Sequence, residues 1–356
     1  MRKPCKVTLN KETFLANCGD VLLDRAIMSG VEIPHDCRSG ACGTCRVRLV
    51  KGKVYGGTEH ASDLIYACQA RVVSDIEIVA EPMPDSVSVS ARVAGLTRLS
   101  PDVIGVRLEV DRPLQYLAGQ YCKVQFRGFP ARCYSPTYPL EGSPNKRQLH
   151  FHIRILPNGA VSSALGNSIQ VGHRVRLTGP FGTAFLRPKH AGRTVLVASG
   201  TGFAPMWSVA VAAITENPRR KLLFAVVARK LRSFYMHAAL CRLALFPNVT
   251  IIPIVSEPQN VSPVFRSGRP TDHLPALLRS DVIYTAGAPA MTEAVARLAK
   301  AAGAKCYTDP FEANTAATSN LMVRMAGWFD RPLINFARRP SASAAVAKQP
   351  LQSIEL

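Results

Sequence analysis

The sequence predicts a multidomain chain in which a small β-grasp domain precedes an antiparallel Greek-key β-barrel and then an α/β domain with a parallel sheet. The length of 356 residues exceeds one ordinary core and allows roughly two to four domains. Alternating apolar stretches separated by Gly and Pro turns fill residues 87–177, as a barrel requires. From Arg193 onwards apolar strands alternate with helical segments, which is the order of a parallel α/β sheet.

The first domain is predicted at residues 1–82 from two short strands and one helix. Strands at 7–10 and 13–16 precede a segment in which Leu22, Leu23, Ala26 and Ile27 share one helical face, and Gly30 ends that segment. Residues 81–86 contain two prolines between apolar runs and therefore predict a linker.

Four cysteines of this domain have the spacing C-x4-C-x2-C with a fourth further on: Cys37, Cys42, Cys45 and Cys68. This spacing is typical of the ligands of a plant-type [2Fe-2S] cluster, and Gly40 and Gly43 let the loop turn its N–H groups towards the cluster. A structural zinc site, which usually pairs two short couples, is the weaker alternative. The quartet and the strand–helix order resemble the plant-type ferredoxin domain, although the fourth cysteine follows closer to the third than is usual there.

Charge and composition exclude some classes of protein. The net charge is +20, and residues 1–80 are nearly balanced, with 11 basic and 9 acidic residues. The basic clusters elsewhere are short and lack interleaved aromatics, so we expect a phosphorylated cofactor or an acidic protein partner and no nucleic acid. The N-terminal segment has no apolar signal core, which predicts a cytoplasmic protein with reduced thiols. The uncharged stretch 194–214 has Gly and Pro at its centre, which predicts strand, turn and helix and no transmembrane span.

Three motifs lie in the predicted barrel at residues 87–189. They are the tetrapeptide RCYS at 132–135, small and hydroxyl residues at 158–165, and a double-glycine turn at 177–182. The second is expected to open a helix from Val161, whose N-terminal N–H groups would favour a pyrophosphate. In kind and order the three resemble the flavin domain of the ferredoxin-NADP reductase family. The resemblance implies FAD, bound by Arg132 at its phosphates, Tyr134 on its ring system, Ser135 near its N5, and also His152, Gly159, Val161 and Ser162.

Two further motifs lie at ends of strands in the α/β region, residues 192–312. One is GTGFAP at 200–205, which opens a helix, and the other is YTAGAPAM at 284–291. Ligands gather at the carboxyl ends of strands in such sheets. Both segments resemble the NAD(P) domain of the same family, which implies nucleotide contacts from Gly200, Thr201, Gly202, Pro205, Arg229, Arg232, Gly287, Pro289 and Met291. Ala286 replaces the cysteine usual in the family, so we expect slower hydride transfer.

The choice of nucleotide depends on the residues after the strand at 222–227. Segment 228–233 supplies three cations and no acid, which would suit a 2′-phosphate but also fits solvated surface charge. The wider resemblance favours NADH over NADPH by a small margin. Phe311 resembles the aromatic residue that covers the flavin at the end of related chains.

Residues 313–356 are predicted to form a partly disordered C-terminal extension, which either packs on its own domain or docks a partner. The order of domains resembles the reductase components of multicomponent bacterial oxygenases, the naphthalene-dioxygenase type in particular. That resemblance implies an enzyme that passes electrons from NAD(P)H through FAD and a [2Fe-2S] cluster to an oxygenase component or a separate ferredoxin, with a Rieske-type aromatic-ring dioxygenase expected. Alternative acceptors are a di-iron monooxygenase or a cytochrome P450. An alternative of a different class is a docking or regulatory subunit with weak NAD(P)H oxidation.

Overall fold

The structure is a computed structural model that describes residues 4–35, 38, 40, 45–58, 63–80, 86–140, 145, 147–187, 190, 192–257 and 263–311. All of them belong to one compact unit, Met1–Glu312. Three predictions fall partly or wholly outside the described residues: the linker at 81–86, the extension at 313–356, and the positions of Cys37 and Cys42.

The first part of the chain has the mixed sheet of a β-grasp. Its elements are β1 (Pro4–Leu9), β2 (Glu12–Asn17), α1 (Leu22–Met28), β3 (Arg46–Lys51), β4 (Val54–Tyr55), β5 (Leu64–Tyr66), β6 (Arg71–Val72) and β7 (Ile76–Val79). The main sheet has the order β2-β1-β7-β3-β5, with β1 parallel to β7. Leu22, Leu23 and Ala26 bury one face of α1 as predicted, whereas Ile27, in the last turn of this seven-residue helix, is 43% exposed.

The second part is an antiparallel sheet that curls on itself. Its strands are β8 (Val87–Ser100), β9 (Val103–Val110), β10 (Tyr121–Phe126), β11 (Arg132–Tyr134), β12 (Gln148–Arg154) and β13 (Arg174–Phe181). The order is β11-β10-β13-β8-β9-β12, and an antiparallel bridge between Thr137 and His150 brings the two edges together. The predicted barrel is therefore confirmed, with Phe126, Phe151 and Leu177 in its core.

The helix expected from Val161 is wrong, because residues 158–164 form hydrogen-bonded turns instead. Side chains there bond to nearby backbone: the Ser163 hydroxyl donates to the Gly159 carbonyl at 2.7 Å, and the Ser162 hydroxyl accepts the Leu156 N–H at 3.1 Å. Such local bonds offer the backbone an alternative to a helix. Any phosphate here would meet turn amides and not a helix dipole.

The third part is a parallel sheet with helices. Its elements are β14 (Thr194–Ser199), α2 (Phe203–Glu216), β15 (Leu222–Ala228), α3 (His237–Leu243), β16 (Val249–Val255), β17 (Arg266–Ser267), β18 (Val282–Gly287), α4 (Pro289–Ala301) and β19 (Lys305–Pro310). The order is β17-β16-β15-β14-β18-β19, and every pairing is parallel. Within the described residues no helix is long and apolar enough to cross a membrane. The chain reverses its strand order at β14 and β18, which is where such sheets bind ligands.

Candidate redox site

Two of the three parts of the chain meet at Ser135, directly after the β10–β11 hairpin. Its side chain is 5% exposed, and its hydroxyl has no hydrogen-bond partner in the part of the chain that the structure describes. The carboxyl of Asp309, near the end of β19, lies beside it. Asp309 Oδ2 is likewise buried without a partner among the described residues. Buried polar groups are seldom left unpaired, so this pair is the strongest indication of a ligand site.

Burial raises the pKa of Asp309 from 3.8 to about 7, and the nearby Ser135 hydroxyl opposes part of that rise. The two groups are neighbours, yet neither Ser135 Oγ nor Asp309 Oδ2 has a hydrogen bond within 3.5 Å among the described residues. A carboxyl with this pKa exists in both forms near neutral pH. Asp309 can therefore hold a proton next to Ser135 or release it.

The raised pKa predicts how pH acts on stability. Since Asp309 binds its proton more tightly when folded, its contribution is present below about pH 3.8 and is lost as pH rises towards 7. The loss is on the order of 4 kcal/mol for a shift of about three units. We expect Asp309→Asn, in protein stripped of its flavin, to melt at a higher temperature relative to the parent at pH 8 than at pH 5. A melting difference that does not change between these pH values would contradict the burial of this carboxyl.

Hydrogen bonds next to Ser135 attach the barrel to the α/β sheet. The Thr137 hydroxyl donates to the Ala204 carbonyl at 2.8 Å, and the Ser208 hydroxyl donates to the Pro136 carbonyl at 3.0 Å. All four residues are buried, and Ala204 and Ser208 belong to α2. The segment after β11 is thus fixed directly to the helix that follows the first glycine motif.

The RCYS tetrapeptide occupies β11 and the residue after it. Arg132 is half-buried and donates from one guanidinium nitrogen to the Ala131 carbonyl at 2.9 Å. Tyr134 is half-buried, and its burial raises the pKa of the phenol. Tyr134 therefore stays neutral and acts as an aromatic surface next to Ser135.

The turn at residues 156–163 is closely packed. A Cβ on Gly159 would lie 2.3 Å from Ser162 Oγ, and Val161 and Ser162 are buried. No side chain can replace this glycine without moving the serine. The backbone of the turn is therefore held in one shape, with Val161 in the barrel core.

His152 lies between the barrel and the α/β sheet. Its ring is parallel to Phe203 with centroids 6.3 Å apart, and Nδ1 lies 3.1 Å from the Tyr235 hydroxyl. Burial, with help from His150, lowers the pKa of His152 to about 3. The structure thus places a neutral imidazole in a contact between domains, next to the helix that opens after Gly202.

Two glycine segments meet at the carboxyl edge of the sheet. A Cβ on Gly202 would lie 2.2 Å from the Ala286 carbonyl oxygen, and one on Gly287 would lie 2.4 Å from Ser199 Oγ. The Ala288 N–H donates to that same hydroxyl at 2.9 Å. The ends of β14 and β18 therefore approach as closely as backbone can.

The remaining predicted nucleotide residues lie around this edge. Gly200 has a φ of +55° and begins a short 3-10 turn with Thr201, and Pro205 is buried in the first turn of α2. Pro289 opens α4, and Met291 is half-buried within it. Two others also lie here: Ala286, which is fully buried, and Phe311, whose N–H donates to the Gly287 carbonyl at 2.7 Å.

The cysteine motif is described in part. Cys45 and Cys68 are 2% and 8% exposed, and the Ala67 N–H donates to the Cys45 carbonyl at 3.0 Å. The Gln69 amide reaches both the Arg38 carbonyl at 3.0 Å and Cys68 Sγ at 3.8 Å. Arg38, the residue after Cys37 in the sequence, is thereby tied to the segment of the fourth cysteine. Two buried cysteines, one with an amide donor near its sulfur, fit two of the four thiolate ligands of a [2Fe-2S] cluster. Within the described residues no three His, Cys, Asp or Glu side chains form a metal-binding group.

Sequence reasoning missed an acidic residue at the carboxyl edge of the parallel sheet. Glu257 follows β16, pairs with the Arg229 guanidinium and lies 3.5 Å from Lys230 Nζ. The hydrogen bond from Arg229 lowers the pKa of Glu257, so it is charged at neutral pH. Because β15 and β16 are parallel neighbours, an acid just after β16 had to lie near the cations after β15, and that was the available signal. Arg232, also predicted to contact the nucleotide, is exposed in the short turn after β15.

Three families of protein domain match the chain in this order. Residues 7–73 match the 2Fe-2S iron-sulfur cluster binding domain, residues 90–185 the oxidoreductase FAD-binding domain, and residues 196–297 the oxidoreductase NAD-binding domain. The fold and site thus define an NAD(P)H-dependent oxidoreductase with flavin and iron-sulfur domains.

Similar proteins narrow this class further. The chain is 34% identical over 310 residues to the ferredoxin–NAD(P)+ reductase component of the naphthalene 1,2-dioxygenase/salicylate 5-hydroxylase systems of Ralstonia sp., covering 82% of this chain and 91% of that protein. It is 31% identical to the naphthalene 1,2-dioxygenase reductase component of Pseudomonas putida, covering 85% and 96%. A cytochrome P450 reductase from Amycolatopsis aligns with a TM-score of 0.65 and 27% identity, covering 87% of this chain and all of that one. The chain belongs to the ferredoxin-NADP reductase family, among the reductase components of multicomponent oxygenase systems.

Proposed function

We propose that the protein passes electrons from NAD(P)H through FAD and a [2Fe-2S] cluster to an oxygenase component or a separate ferredoxin, most simply that of an aromatic-ring dioxygenase. The observation that carries this is the junction at Ser135. There the flavin motif of the barrel, Asp309 at the end of β19, and the α2 helix behind the first glycine motif meet in one compact unit. The proposed sites for the nicotinamide, which donates the electrons, and for the flavin, which accepts them, thus meet at Ser135.

The residues present fit both cofactors. For FAD, the unpartnered Ser135 hydroxyl and the neighbouring Tyr134 would hold the ring system, while Arg132 and the turn from Gly159 to Ser162 would bind the phosphates. For the cluster we assign four ligands: Cys37, Cys42, Cys45 and Cys68. FAD accepts two electrons together as a hydride, and a plant-type cluster passes electrons on one at a time.

The protein's own groups supply position and protonation. Gly202 and Gly287 allow the two strand ends to touch, and this edge would hold the nicotinamide. Ala286 at this edge pairs with Asp309, which lies beside Ser135. Phe311 is fixed at the same edge by the bond from its N–H to the Gly287 carbonyl. Asp309 can hold the proton that accompanies the electrons beside Ser135. No nucleophile or metal-bound water is needed for this transfer.

The same assignment of sites gives the boundaries of the domains. We assign residues 1–82 to the cluster domain, 87–189 to the FAD domain, 192–312 to the NAD(P) domain and 313–356 to an extension. The curated relatives support an acceptor on another polypeptide, since both are named as reductase components of larger systems.

Two artificial acceptors test the relay without the natural partner. Ferricyanide takes electrons from a reduced flavin, whereas cytochrome c serves as a one-electron protein acceptor. With NAD(P)H we expect the loaded protein to reduce both. Reduction of neither would support a docking or regulatory subunit instead.

We further propose NADH as the natural donor, because Glu257 already pairs with two of the cations after β15. Arg229 and Lys230 are both occupied by this carboxylate. A 2′-phosphate placed there would face the Glu257 charge, whereas a ribose 2′-hydroxyl could donate a hydrogen bond to it. The acid therefore favours NADH at the position where the sequence shows only cations.

Replacing Glu257 by Gln should weaken this preference. We expect the ratio of kcat/KM for NADPH to that for NADH to rise about tenfold, which corresponds to about 1.4 kcal/mol. Glu293→Gln is the matched control, because Glu293 also pairs with an arginine, Arg297, on the exposed surface of the same domain. An unchanged ratio in Glu257→Gln would remove Glu257 from nucleotide selection.

A further inference from the structure

Tyr307 joins all three parts of the chain. The Arg46 guanidinium carbon of the cluster domain lies 5.6 Å from the Tyr307 ring centroid, and that of Arg187, which follows β13, lies 4.1 Å from it. Tyr284 of the neighbouring strand stacks on Tyr307 with centroids 5.4 Å apart and an angle of 18° between the rings. Guanidinium groups over an aromatic face attract it electrostatically. Tyr307 therefore contacts one cation from each of the two other domains.

The position of Arg46 makes this contact relevant to electron flow. Arg46 directly follows the buried Cys45 and begins β3. Tyr307 and Asp309 lie two residues apart on β19, so their side chains leave the same face of the strand. Asp309 in turn lies beside Ser135. Arg46, Tyr307 and Asp309 thus lie in sequence between a proposed cluster ligand and the proposed flavin site.

Hydrogen bonds of Tyr284 and Arg187 fix the contact between the FAD domain and the NAD(P) domain. The Arg187 N–H donates to the Tyr284 hydroxyl at 2.9 Å, and its guanidinium donates to the Phe185 carbonyl at 2.7 Å. Tyr284 is 1% exposed. Tyr307 thus packs on a buried, hydrogen-bonded tyrosine, and Arg46 is the cluster-domain group that contacts its ring.

We propose that Arg46 and Tyr307 are positioning residues that hold the cluster domain with its Cys45 side towards the flavin site and so set the rate of electron transfer between them. This rests on the proposed relay, in which one electron leaves the flavin and one is gained by the cluster, with no further reactant. The pair touches neither cofactor in this proposal. Its role is to fix the distance between them.

The test uses the full, cofactor-loaded chain in anaerobic stopped flow with NADH. Tyr307→Leu and Arg46→Gln are expected to slow bleaching of the cluster about tenfold and leave the preceding bleaching of the flavin unchanged. Tyr307→Phe, which keeps the ring, should restore the cluster rate. Arg48→Gln is the matched control, since Arg48 lies two residues further along β3 and pairs with Asp63 of its own domain.

Hydrogen exchange supplies a second readout that does not depend on turnover. In Tyr307→Leu the amides of β3 and β19 should exchange faster, while those of β2, in the same domain as β3, should not. Unchanged cluster bleaching together with unchanged exchange would overturn the proposal. If the parent protein itself fails to bleach its flavin, the proposed relay fails, and the exchange of β3 and β19 still decides whether this contact holds the domain.

Discussion

Cys45→Ser is expected to abolish transfer to one-electron protein acceptors while sparing the flavin site. Reduction of cytochrome c by NADH should fall by at least about 100-fold, because a plant-type cluster needs four thiolates. Reduction of ferricyanide should change by less than about twofold, since the residues around Ser135 lie in other domains. The visible spectrum should lose the iron-sulfur bands and retain those of the flavin.

The control for this experiment must separate ligand loss from core damage. Cys5 is also 2% exposed and lies in the same hydrophobic core, on β1. We expect Cys5→Ser to keep both the cluster bands and the reduction of cytochrome c. Equal loss of cluster in both variants would show that any buried thiol of this core matters, and it would contradict the assignment of Cys45 as a ligand.

Gly202→Val is expected to block hydride transfer from NADH to the flavin. The added Cβ would lie 2.2 Å from the Ala286 oxygen and 2.7 Å from the Gly287 nitrogen, distances that backbone cannot accept. The ends of β14 and β18 must then separate, and the nicotinamide edge opens. We expect reduction of the flavin by NADH to slow by at least about 100-fold, or roughly 2.7 kcal/mol of barrier. Dithionite should still reduce both the flavin and the cluster.

Gly303→Asn is the matched control in the same domain. Gly303 follows α4 with a φ of +66°, and its nearest neighbour would be an Arg279 side-chain carbon at 3.6 Å, an ordinary contact. Asparagine tolerates this conformation well. Flavin reduction by NADH should therefore keep its parent rate in the control. If Gly202→Val also keeps that rate, the close approach of the two strand ends has no role in hydride transfer.

Much of the fold could be predicted because its signals are local. Alternating apolar residues predicted β8, β9, β10, β12 and β13 but not the short β11, and the change to strand and helix from Arg193 predicted the parallel sheet. The two glycine motifs could be assigned to one edge of that sheet because carboxyl ends of parallel strands meet. The helix expected from Val161 failed because Ser162 and Ser163 bond to nearby backbone, which composition alone does not reveal.

The features that escaped prediction depend on contacts between distant segments. Nothing around Tyr307 indicates that Arg46 lies near its ring, since the two residues are 261 positions apart in the sequence. The sequence around Asp309 likewise gives no sign of its raised pKa, which arises from burial next to another domain. The sites themselves were predicted by residue type and spacing, whereas the connections between them required the structure.

Anaerobic stopped flow with NADH tests the central claim most directly. Purified protein with its flavin and cluster in place is mixed with NADH, and the absorbance of each chromophore is followed separately. We predict that the flavin bleaches first and the cluster follows within seconds, with NADPH acting more slowly. Flavin and cluster that both keep their oxidised spectra with either nucleotide would contradict the relay from NAD(P)H through FAD to the [2Fe-2S] cluster.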